Sequence, residues 1–167
     1  MGPAYWPAFA SAAGLLLLQT MLEPFISFRG AVPSLVTIPL VLYCLRVGAR
    51  RGARLALPIG LLEDIFAGTG GAWTIATTIV GLCAGGLSRR VYADGAFVPA
   101  VLCALAVLLR NALFWALMHV EGYPVGFAVA HLHQALWSAA LTALVAFLFL
   151  VVRGRLVADK TTIHRYA

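Results

Sequence analysis

Charge is what this chain has least of. Six acidic and twelve basic residues make up 11% of its 167 positions, against 62% hydrophobic residues, and the mean hydropathy is +0.95. Soluble domains carry about a quarter charged residues, so a water-facing surface cannot be assembled from this composition. Cysteine is equally sparse. Cys44, Cys83 and Cys103 each sit inside an apolar run, with no CxxC or Cys/His spacing that could build a zinc site, and read as small packing residues. No lysine or arginine precedes the first apolar run as a signal peptide's n-region requires, so that run is expected to be a retained first span. There is no nucleophile elbow, phosphate-binding glycine loop, pair of catalytic carboxylates or HExxH. The reading is therefore of a protein that is not an enzyme, with no cofactor or metal.

What is present is a series of apolar runs, at about 4–22, 33–47, 55–67, 72–87, 97–119 and 127–152. They predict one all-α membrane domain over residues 1–167, a polytopic bundle of six transmembrane helices. The third run would reach only about 20 Å at 1.5 Å per residue, short of a hydrocarbon core of about 30 Å. Either its helix continues through Gly68-Thr69-Gly70-Gly71, or a glycine turn lies below the outer surface, sheltered by protein or a wet cavity. The formal charge of +6 does not point to nucleic acid, because the basic residues fall between apolar runs. Arg46, Arg50, Arg51 and Arg54 follow the second run, Arg89 and Arg90 the fourth, and Arg153, Arg155, Lys160 and Arg165 the sixth. These ten of the twelve fall on one side in a six-span arrangement, which places both termini in the cytoplasm. Tyr5, Trp6, Trp73, Tyr92 and Tyr123 lie near the expected interfaces, and the basic tail could touch anionic lipid.

Charges at membrane depth cost about 2.5–3.5 kcal/mol each at a helix centre even on lenient scales, so those that remain face protein or water. Glu63 and Asp64 lie in the third run, and Arg110 sits beside Asn111 near the middle of the fifth. They could form a proton or ion relay, or an internal ion pair that fixes helix packing. No complete relay is visible, which favours the pair, with Asp64 the first choice of partner for Arg110. His131, Gln134, Ser138 and Thr142 form a polar stripe on the sixth run, as Asn111, Trp115 and His119 do on the fifth, and both stripes are expected to face inward. Without a companion carboxylate or cysteine the histidines suit interhelical hydrogen bonding better than a metal. His133 lies on another face and takes no role. Gly48-xxx-Gly52 and Gly81-xxx-Gly85 allow close helix approach, and Gly60, Gly68, Gly71, Gly81 and Gly85 are candidates for helix packing or partner contact.

In the stretch from Val32 to Arg90, Pro33-Ser34-Leu35 opens an apolar span and is followed by the basic connection Arg46 to Arg54. Then comes Gly60-Leu61-Leu62-Glu63-Asp64, with Gly68 and Gly70-Gly71 after it, and Gly81 in the span before Arg89-Arg90. This stretch resembles the MreD family: Gly60, Asp64 and Gly71 match its glycine, its aspartate four residues on and its glycine-bearing turn, and Gly81 matches as well. Ser34 stands where an aspartate is common, and Pro58 is expected to interrupt the start of the third helix. The resemblance implies a scaffold subunit of the rod-shape (elongasome) complex in the bacterial inner membrane, which organises lateral peptidoglycan synthesis. Its implied partners are an MreC-like single-span protein, RodA with its class B penicillin-binding protein and, indirectly, MreB. The helix arrangement of MreD is also similar to the substrate-binding S components of energy-coupling-factor transporters. The rival reading is therefore a vitamin-type uptake subunit, which would need an outward-facing pocket with convergent polar groups.

Overall fold

The computed structural model describes residues 5–88, 95–122 and 128–163, with side chains in the last helix described to residue 154. Arg89, Arg90, Tyr92, Tyr123 and Arg165 lie outside the described residues, as do the side chains of Arg155 and Lys160. Among the described residues six helices run in order: α1 (Tyr5–Ile26), α2 (Thr37–Val47), α3 (Ala49–Ala67), α4 (Ala72–Leu87), α5 (Phe97–Val120) and α6 (Ala128–Ile163). Three of them, α1, α5 and the Ala128–Gly154 part of α6, are long and apolar enough to cross a membrane.

Proline and glycine set the element boundaries. Pro7, Pro39 and Pro99 each fall within the first three residues of a helix, where the missing N–H has no intrahelical partner to lose. Gly48 separates α2 from α3 by adopting a φ of +86°. Pro58 does not interrupt α3; the helix runs through it. A proline at 58 cannot donate to the carbonyl of residue 54, and that freed oxygen accepts a hydrogen bond from the Tyr5 hydroxyl at 3.3 Å. The proline's lost bond thus becomes a tie between α1 and α3. Helix α3 also starts earlier than the apolar run suggests, because Arg50, Arg51 and Arg54 form its exposed first turns rather than a loop. Its 19 residues span about 28 Å.

The short helix α2 is the hub, packed against α1, α3, α4 and α5. Leu40 and Cys44 join one buried cluster with Leu16, Leu55 and Ile59. Ile38 and Val41 join another with Val80, Cys103 and Ala146. Cys83 is exposed, unlike Cys44 and Cys103.

The tightest pairing is α3 against α4, and glycine makes it possible. A Cβ at Gly60 would lie 2.6 Å from the Thr74 Cα, one at Gly81 2.6 Å from the Ala56 Cβ, and one at Gly85 2.6 Å from the Ala49 Cα. Gly81 and Gly85 therefore face α3, and the surface expected to meet a partner is occupied inside the bundle. Between α1 and α2, Phe28 and Ala31 exchange backbone hydrogen bonds around Arg29 and Gly30, both at positive φ, in a tight turn.

Candidate functional site

Where α3, α4 and α5 meet, three charged side chains are withdrawn from the surface: Glu63, Asp64 and Arg110 are 6%, 7% and 5% exposed. Arg110 does not bond Asp64. Its Nη1 donates to Glu63 Oε1 at 2.7 Å, while Glu63 Oε2 accepts from the Thr77 hydroxyl at 3.0 Å. The guanidinium carbon also lies 4.6 Å from the centroid of the Trp73 ring, close enough for its charge to be held by the ring's negative face. Trp73 in turn stacks on Phe114 of α5 at 4.0 Å between centroids. Trp73, the second residue of α4, is thus half-buried against the charged centre.

Asp64 has a different task. Its Oδ1 accepts from the Thr69 hydroxyl at 2.6 Å and the Trp73 N–H at 3.0 Å, and its Oδ2 from the Thr74 N–H at 2.8 Å and the Thr74 hydroxyl at 2.5 Å. A helix begins with N–H groups that have no partner of their own, and its dipole favours a negative charge there. Asp64 supplies both from the preceding helix, closing the Gly68–Gly71 turn onto α4. Of the two sequence alternatives the structure takes the turn: α3 ends at Ala67, Gly68 is left-handed at φ +66°, and its N–H returns to the Asp64 carbonyl at 2.7 Å.

The polar stripes divide. On α6, Gln134 donates to the Gly30 carbonyl, the Ser138 hydroxyl donates to the Val32 carbonyl at 2.7 Å, and Thr142 Oγ1 accepts from the Ser34 N–H at 2.8 Å. Their common target is the backbone of the segment leading into α2, where Ser34 also shares a 2.7 Å hydrogen bond with Thr37. Gln134 is nonetheless exposed, so the stripe faces inward only toward its Ser138 and Thr142 end. His131 turns to the Phe114 ring, 6.2 Å away, and its buried Nε2 has no hydrogen-bond partner among the described residues. On α5, Asn111 bonds its own helix at the Val107 carbonyl, and His119 is exposed and stacked on Trp115. His133 accepts from the Trp137 indole N–H at 3.0 Å.

Both carboxylates are bonded at each oxygen by groups of the chain itself, which suits holding helices in place better than exchanging protons. Between the Arg110 stack and His131 lies Phe114, whose ring carries no exchangeable proton. Sequence reasoning missed Thr69, Thr74 and Thr77, the hydroxyls that satisfy the two acids. The available signal was a cluster of threonines opening an otherwise apolar run directly after a buried aspartate.

A family model described as rod shape-determining protein MreD matches residues 4–154. The chain belongs to the MreD family. Comparison with curated proteins and with solved structures gave no match. The match covers every helix of the bundle, α6 through Gly154, and assigns the chain to the rod-shape system of proteins that determine cell shape.

Proposed function

We propose that this MreD-family protein is a non-catalytic scaffold of the rod-shape complex in the bacterial inner membrane, crossing it six times with both termini in the cytoplasm. Its main client is an MreC-like single-span protein. RodA and its class B penicillin-binding protein share the complex, and MreB is reached through them. The observation that carries this reading is the family match over residues 4–154, taken with a polar centre whose carboxylates are bonded internally. In this role Glu63, Asp64 and Arg110 fix one arrangement of α3, α4 and α5. Gly60, Gly68, Gly71, Gly81 and Gly85 let α3 and α4 close on each other. Gln134 and Ser138 tie α6 to the segment before α2 and His131 meets Phe114 of α5, while Asn111 and His119 bond and stack within α5. With so little chain outside the helices, partners are met largely within the bilayer.

Co-purification from native membranes tests the proposal. A single-span protein with a periplasmic coiled coil should accompany the tagged chain through mild detergent. Purification without such a partner but with a tightly retained metabolite would favour the S-component reading instead.

A further inference from the structure

Helix α1 leans chiefly on α2 and α3, and α6 on α5, which leaves part of α2 uncovered between α1 and α6. The result is a cleft of about 640 Å3. Its walls are apolar, with Ala8 and Leu15 from α1, Ile38 and Leu42 from α2, and Val145 and Phe149 from α6. One end differs: Arg46, in the last turn of α2, and Arg153, two turns beyond Val145 on α6, both line it there. Both arginines are exposed, and neither has an ion-pair partner among the described residues.

Lining and charge together select an occupant. The walls are hydrocarbon-like along α1, α2 and α6, and among the described residues the only charged groups lining the cleft are the two arginines at one end. An apolar slot that ends on two positive charges matches a molecule with an apolar tail and an anionic head. A basic pocket between membrane helices is also the arrangement that recognises lipid phosphate. We propose that the cleft binds an anionic glycerophospholipid, its tail lying between α1 and α6 and its phosphate held between Arg46 and Arg153. The lipid belongs to the cytoplasmic leaflet if the topology proposed above holds; the binding itself does not depend on that topology.

Native mass spectrometry of the full-length protein, released from micelles holding equal amounts of phosphatidylglycerol and phosphatidylcholine, reads the preference directly. Wild type should retain phosphatidylglycerol over phosphatidylcholine, and Arg46→Gln with Arg153→Gln should cut that ratio on the order of tenfold. Removing the same charge at Arg50 and Arg54, which are exposed but do not line the cleft, should leave it unchanged. Ser11→Trp, an exposed α1 position that does line it, should lower retention with both arginines intact. Equal retention of the two lipids by wild type would overturn the assignment. So would an equal loss in the two double variants, which would show diffuse attraction, or full retention by Ser11→Trp, which would place the tail elsewhere.

Discussion

Consecutive residues of a helix point about 100° apart, so Glu63 and Asp64 cannot serve the same partner. One turns across the bundle to Arg110 of α5, the other along it to the start of α4. Breaking a buried pair by removing one member costs about 3–5 kcal/mol, because the survivor is left charged and dry. Arg110→Ala should therefore sharply lower the yield and melting temperature of detergent-purified protein, and adding Glu63→Gln should restore much of both. Asp64→Asn combined with Arg110→Ala should show none of that recovery, since no hydrogen bond joins the two groups; they meet only through Trp73, whose N–H bonds Asp64 and whose ring holds Arg110. Asp64→Ala should cost about 2–3 kcal/mol by stranding the donors of the turn. Hydrogen exchange should then quicken at residues 69–75 while α6 stays protected. The sequence made the three charges conspicuous, because an ionised group in an apolar run stands out. It could not decide between adjacent acids: a count of depth along the chain carries no information on azimuth, and azimuth is what separates Glu63 from Asp64.

At the level of the elements, the apolar runs located all six helices but misplaced the ends that polar residues control. Helix α2 begins at Thr37 rather than 33, because the Ser34 and Leu35 N–H groups are taken by Thr142 and Gln19 instead of a helical turn. Helix α3 begins at Ala49 because arginine is a good helix former and nothing after Gly48 stops it. The packing of α3 on α4 yields a direct test. Gly81→Leu and Gly60→Leu should each force the pair apart and cost at least 1–3 kcal/mol, the usual range for overpacking. Gly86→Leu, on the same helix with open space around its Cα, should be tolerated. Size-exclusion profiles of fluorescently tagged variants would separate the two groups, and equal behaviour would contradict the packing described here.

For the whole molecule, topology is the next quantity to establish. Reporter cysteines at positions 50 and 160, in a background without the native thiols, should be protected in whole cells from a membrane-impermeant reagent. Those at 29 and 122 should react; the reverse pattern would invert the proposed orientation. Family and helical class were legible because composition and a few spaced glycines carry them. The cleft was not, since its walls come from the first, second and sixth helices, far apart along the chain, and residues 8, 42 and 149 have no signature in common.

The α3–α4 hairpin also bears on how such a chain is made. Helix α4 has 16 residues, and α3 carries Glu63 and Asp64 within its apolar stretch, so neither is a strong candidate to enter a bilayer alone. Folded together, the pair hides the Asp64 carboxylate behind the turn and the opening N–H groups of α4, and the glycines bring the two backbones into register. On the six-span reading, α3 and α4 are then suited to enter the bilayer as a pair, with the hairpin the smallest unit that shields Asp64. A substitution at Asp64 or Gly60 would then lower the fraction of chains that integrate as well as the stability of those that do.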